Sequence, residues 1–156
     1  MKRLWSLSLS ALLILLIGLA PAEAQSAWWR TQRVVDGDTL RVAGLATSLR
    51  LAGVDAPERG ARCFAEAKEL VESLAFPEVV VVFANPPRDR YQRYRAYVFV
   101  PSGGSLVLLQ EQLLLHGLAR ADTGVFLDPH YGHYFLELQA AARAQGLGIW
   151  GNTCRR

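Results

Sequence analysis

Lysine is nearly absent from this sequence. After Lys2 only Lys68 remains, so the positive charge rests almost wholly on arginine. Neither sign of charge is in large excess, and the full chain of 156 residues carries a formal net charge of +3. That balance excludes adhesion to nucleic acid through sheer basicity and leaves anion recognition to the positions of single arginines. Arginine suits planar, two-pronged contact with phosphate, which the point charge of lysine does not offer. Cysteine is scarce too, with only Cys63 and Cys154. Neither follows the N-terminal apolar run directly, which argues against a lipid-anchored lipoprotein. Internal repeats, low-complexity tracts and linker-like stretches are missing, and this argues against an exported structural or adaptor domain that binds protein.

What is present begins with an export signature. Lys2 and Arg3 precede an apolar run from about Trp5 to Ala20, and Ala22-Glu23-Ala24 supplies the small-x-small pattern of a cleavage site. The run is short for a membrane span, which needs about 20 apolar residues. We expect a signal peptide over 1–24, cleaved after Ala24, and one secreted or periplasmic domain over 25–156. The alternative is an uncleaved anchor helix. Losing Lys2, Arg3 and Glu23 would leave that domain at +2. In an exported chain an even cysteine count reads as one disulfide, Cys63 with Cys154, against the alternative of two free thiols.

Periodicity predicts strands first. Arg33 to Val35 runs into the turn Asp36-Gly37-Asp38, then Thr39 to Val42 alternates as a half-buried strand does. Ser48 to Ala52 reads as a third strand. Phe64 to Leu74 has helical spacing. Glu78 to Ala84, with its consecutive valines, reads as a strand buried on both sides, and Tyr94 to Val100 as another. Leu106 to His116 and Phe135 to Gln145 read as helices ended by Gly117 and Gly146. The order suggests an α+β fold, a five-stranded oligonucleotide-binding-type β-barrel with three α-helices.

The polar residues that stand out are Asp38, Arg50, Asp55, Glu58, Asp89, Arg90 and Arg93, each beside a turn. A strand meander could gather Asp38, Asp55 and Glu58. Such carboxylates repel one another, and a hard divalent cation would relieve that repulsion. Each residue also has a plain reading as a turn acid or a solvated strand charge. His130 and His133 form a pair with no third metal ligand in view. Trp150 reads as core. Trp28 and Trp29 are left open between packing on the barrel and mobility.

Three blocks bind these residues together: Val35 to Leu40, Leu49 to Glu58, and Asp89 to Tyr97. With Leu114 to Ala119 and Gly148-Ile149-Trp150 they resemble, in order, the signature of the staphylococcal nuclease family. The resemblance implies an enzyme with calcium (Ca2+) as cofactor. It implies Asp38, Asp55 and the carbonyl of Ala56 as ligands, Glu58 as general base, and Arg50 and Arg93 on the scissile phosphate. Arg90 and Tyr91 would flank the nucleotide's terminal phosphate. Substrates would be single-stranded or frayed DNA and RNA, cut to 3′-phosphate ends by water attack. No protein partner is implied. A binding module that has lost catalysis is the alternative. Gln92 stands where the family's best-known member has glycine, and a bulkier residue there could redirect Arg93.

Overall fold

The computed structural model describes residues 28–123, 130–152 and Cys154; the expected signal peptide lies outside the described residues. Eight strands are β1 (Trp28–Val34), β2 (Thr39–Val42), β3 (Leu49–Leu51), β4 (Val54–Asp55), β5 (Glu78–Arg88), β6 (Tyr94–Ser102), β7 (Ser105–Leu108) and β8 (Arg120–Ala121). Three helices are α1 (Phe64–Ala75), α2 (Leu109–Leu115) and α3 (Gly132–Ala144), and a 3-10 turn covers Gly148–Trp150.

Five strands close into a barrel. Antiparallel pairs run β3-β2-β1-β5-β6, and a parallel β3–β6 pairing joins the ends. Closure leaves no long open edge for another chain to pair with. Alternation does the local work: Leu49 and Leu51 are buried while Arg50 between them points outward, and Leu40 and Val42 flank the exposed Arg41. On α1, Ala67, Val71 and Ala75 lie four apart and form one buried face. Two of the three are alanine, so the helix axis comes close to the barrel. Gly37 completes that approach, since a Cβ there would stand 2.7 Å from the Cβ atoms of both Ala56 and Ala67.

Two expectations are corrected. β5 is not buried on both sides along its length: Val79 and Ala84 are buried, but Val82 and Phe83 are 49% and 40% exposed. Val82 and Phe83 are successive residues in unbroken register with β6 and so lie on opposite faces, which means that β5 opens to solvent on both faces at this point and the apolar run overstates burial. Residues 106–108 are strand, not the first turn of a helix. Gly103 and Gly104 both take positive φ, and the hairpin they form returns β7 along β6. Helix begins only at Leu109. Gly117 does end α2 at φ +65°, with Leu118 N donating to Leu113 O at 2.8 Å.

Gln110 was not singled out by its sequence context, yet it is fully buried. Its Oε1 accepts from Val98 N at 3.2 Å, and its Nε2 donates to Ala96 O and Ala52 O at 3.0 and 3.3 Å. One side chain thus serves backbone groups where β6 passes the β3–β4 turn. Gln110→Leu is expected to cost about 3 kcal/mol by stranding those groups away from water. Urea unfolding checks this, and an unchanged midpoint would show that the groups find other partners.

Candidate active site

The turn 36–38 sets the first residue. Asp36 Oδ1 accepts from Asp38 N at 3.1 Å, and Asp38 O accepts from Leu51 N at 2.8 Å, which ties the turn to β3. The Asp38 side chain is thereby turned inward and is almost fully buried. Its Oδ1 accepts from Thr39 Oγ1 at 3.0 Å and its Oδ2 from Ala56 N at 2.7 Å. Arg50, the outward residue of β3, reaches both nearby acids. Nη1 pairs with Asp38 Oδ2 at 2.5 Å, and Nη2 donates to Asp55 Oδ1 at 2.8 Å. The Nη1 contact is an ion pair without hydrogen-bond alignment, so this buried nitrogen keeps an unmet donor. Burial pushes the Asp38 carboxyl up to about 6 from 3.8; the Arg50 charge and the Ala56 N–H pull against it without prevailing.

Asp55 ends β4 and is mostly solvent-exposed, and across the β4–β8 pair it faces Arg120. Ala56 is buried. Glu58 is exposed in the loop before α1 and enters no ion pair among the described residues. The expected gathering of Asp38, Asp55 and Glu58 around one point is therefore corrected. Among the described residues no three His, Cys, Asp or Glu side chains form such a group. The guanidinium fork of Arg50 lies between the first two acids and lowers their mutual repulsion, while Glu58 stays in water. His130 and His133 likewise gain no third ligand among the described residues.

The second half of the site is the turn before β6. Asp89 Oδ1 accepts from Tyr91 N and Arg93 N at 2.8 and 3.0 Å, and its Oδ2 accepts from Arg93 Nε at 2.7 Å. Desolvation raises the Asp89 carboxyl, but these hydrogen bonds outweigh it and hold the group below 3.8. Arg93 is thus pinned through Nε, which leaves its Nη groups out of that pair. The guanidinium groups of Arg90 and Arg93 lie 4.8 and 5.4 Å from the centre of the exposed Tyr91 ring. Tyr94 N donates to Ser48 O at 3.0 Å, and Arg50 stands opposite Arg95, so the parallel β3–β6 pairing sets this turn beside the strand that carries Arg50.

Gln92 occupies left-handed backbone at φ +63°. Its carbonyl is held there by Arg88 Nη1 at 2.8 Å and Thr47 Oγ1 at 3.0 Å. Glycine would adopt this conformation without strain, so Gln92→Gly is expected to stabilise the domain by roughly 0.5–1 kcal/mol once the looser unfolded chain is offset. A lower urea midpoint for the variant would refute this.

The family model described as staphylococcal nuclease homologue matches residues 48–152. The chain belongs to the staphylococcal nuclease family. It is 31% identical over 145 residues to an uncharacterized protein of Methanocaldococcus jannaschii, covering 76% of this chain and 69% of the relative. It is 28% identical over 148 residues to an uncharacterized endonuclease of Haemophilus influenzae, covering 93% and 78%. To a micrococcal nuclease of Shigella flexneri it is 30% identical over 131 residues, covering 77% and 71%.

In this staphylococcal nuclease homologue, Cys63 and Cys154 form a disulfide with Cα atoms 5.2 Å apart. Trp29 packs edge-on against Phe83, with ring centres 6.1 Å apart. Trp150 is not core: it is half-buried beneath the guanidinium groups of Arg120 and Arg143. Arg62, Arg120 and Arg143 escape a reading of the sequence because they lie far apart along the chain. Asp89 carried a local signal in its four-residue spacing to Arg93.

Proposed function

We propose that this member of the staphylococcal nuclease family is an exported, calcium-dependent nuclease that hydrolyses phosphodiester bonds of DNA and RNA and leaves 3′-phosphate ends. The observation that carries the reading is Arg50 bridging a buried Asp38 and an exposed Asp55, one short loop from Glu58, which has no ion pair among the described residues.

The residues fit a hard cation. Asp38 is a buried carboxylate whose charge one guanidinium does not fully compensate, as its raised proton affinity indicates. Asp55 and the carbonyl of Ala56 add oxygen donors of the type calcium takes. Bound there, calcium would act as a Lewis acid on a phosphoryl oxygen. The rest falls to side chains. Arg50 would hold non-bridging oxygens of the scissile phosphate. Arg93, braced by Asp89, would bind from the β6 side, and Arg90 and Tyr91 would meet a terminal phosphate. Charge grows on those oxygens as water attacks, so the guanidinium groups stabilise the transition state more than the ground state. Glu58, without a cation partner among the described residues, would take the water's proton. Since water is the nucleophile, no ribose 2′-hydroxyl is required and single-stranded or frayed DNA serves as well as RNA.

The purified domain is expected to degrade single-stranded DNA with calcium and to stop on addition of chelator. Glu58→Gln is expected to reduce turnover by about 10²–10⁴-fold with binding retained. Intact DNA after incubation with calcium-replete protein would end the reading in favour of a binding module, which the strained turn at Gln92 would suit.

A further inference from the structure

Three arginines meet around the C-terminal 3-10 turn. Arg62 Nη2 donates to Ile149 O at 2.9 Å and Gly148 O at 3.4 Å, and Arg62 Nη1 donates to Asn152 Oδ1 at 3.3 Å. The guanidinium carbons of Arg120 and Arg143 lie over the Trp150 ring, 5.2 and 5.6 Å from its centre. All three arginines are exposed, and among the described residues none is in an ion pair. Carbonyl oxygens and an indole face orient a guanidinium without cancelling its charge. None of these contacts supplies a counter-charge, so the guanidinium groups stay available to an anion. The Trp150 Nε1 is buried without a hydrogen-bond partner among the described residues, so the polar edge of the indole faces inward and the ring serves as a support for the arginines.

The position of the cluster says which anion. Arg120 stands opposite Asp55 across the β4–β8 pair, and the Asp55 carboxylate is already engaged by Arg50. Arg62 lies in the loop that begins at Glu58, whose carbonyl accepts from Ala61 N at 2.9 Å. The cluster therefore borders the candidate site through two separate segments. We propose that Arg62, Arg120 and Arg143 form a second phosphate-binding patch, which takes backbone phosphates of a nucleic-acid strand on one side of the bond being cut. This rests on the nuclease reading above, and it makes the preferred ligand a strand of several phosphates rather than a dinucleotide.

The test compares the parent with Arg120→Gln/Arg143→Gln and Arg120→Lys/Arg143→Lys. Fluorescence anisotropy with a single-stranded 12-nucleotide DNA and with a dinucleotide is run in chelator, so that turnover plays no part. For the glutamine pair we expect on the order of tenfold weaker 12-mer binding at low salt. Its plot of log affinity against log salt should be shallower by about 1.4, at about 0.7 per single-strand phosphate contact. Dinucleotide binding should change by less than about twofold, and the lysine pair should retain the parent's salt slope. An unchanged 12-mer slope in the glutamine pair, or equal weakening of both ligands, would overturn the proposal, as would loss of the slope in the lysine pair. If calcium-dependent cleavage fails while the length-dependent effect holds, the nuclease reading falls and the patch stands. Cleavage with no length-dependent effect is the reverse.

Discussion

Arg50→Ala should lose at least about 10²–10³-fold in turnover, the effect of removing one donor aimed at developing charge, and should also weaken the fold. The second effect follows from Asp38, whose carboxylate is buried and has Arg50 as its charged partner. Taking one member from a buried pair costs about 3–5 kcal/mol, because the remaining charge is neither solvated nor paired. Protonation of Asp38 limits that cost, which makes it pH-dependent. The folded-state pKa of Asp38 is raised to about 6, so this group contributes stability that is full below pH 4 and lost as pH rises through about 6. Without Arg50, which pulls the value down, the loss extends to still higher pH. In chelator, the parent and variant midpoints in urea should therefore lie close together at pH 5 and separate at pH 7. Equal separation at both would mean that Asp38 does not respond to Arg50. Arg50→Lys tests the fork: it keeps one charge but cannot reach both acids in two-pronged fashion, so stability should recover more than turnover.

Cys154→Ala should remove the second large contribution. The Cys63–Cys154 bridge spans a sequence separation of 91 residues. In the chain-entropy model, opening a loop of that length costs about 4–5 kcal/mol. A domain of this size has a net stability of about 5–15 kcal/mol, so the loss would be a large share of the whole. Both cysteines are buried, which keeps the bridge away from reductant until the fold opens. The same bridge fastens the segment that carries Trp150 and Asn152 beside Arg62. Urea unfolding of the parent with and without reductant, alongside the variant, measures the effect. A difference under about 1 kcal/mol would show that the tail is held by its noncovalent contacts alone. Gly148 and Gly151 make those contacts close, since a Cβ at either would overlap a carbonyl of Gly117 or Gly146.

Much of the barrel is written in local pattern. Alternation at Leu49-Arg50-Leu51 and Leu40-Arg41-Val42, the spacing of Ala67, Val71 and Ala75, and the glycine stops at 117 and 146 all report which way a side chain faces, because that depends on near neighbours. The pattern fails where facing depends on what lies opposite. Val82 and Phe83 look like core but are both substantially exposed. Leu106 to Leu108 have helical spacing, yet the hairpin at Gly103 and Gly104 offers them strand partners on β6.

The candidate site divides the same way. Residue types and order alone singled out Asp38, Arg50, Asp55, Glu58 and Arg93, since turn-edge acids and arginines interrupt an otherwise apolar pattern. Only the tertiary structure decided that Arg50 joins Asp38 to Asp55 while Glu58 remains apart, and that Gln110, Arg62 and Arg120 meet partners remote in sequence. The physical reason is range. Backbone preference and side-chain alternation act over a few residues and can be read along the chain, whereas ion pairs, buried hydrogen bonds and ring contacts depend on distances that exist only once the barrel has closed.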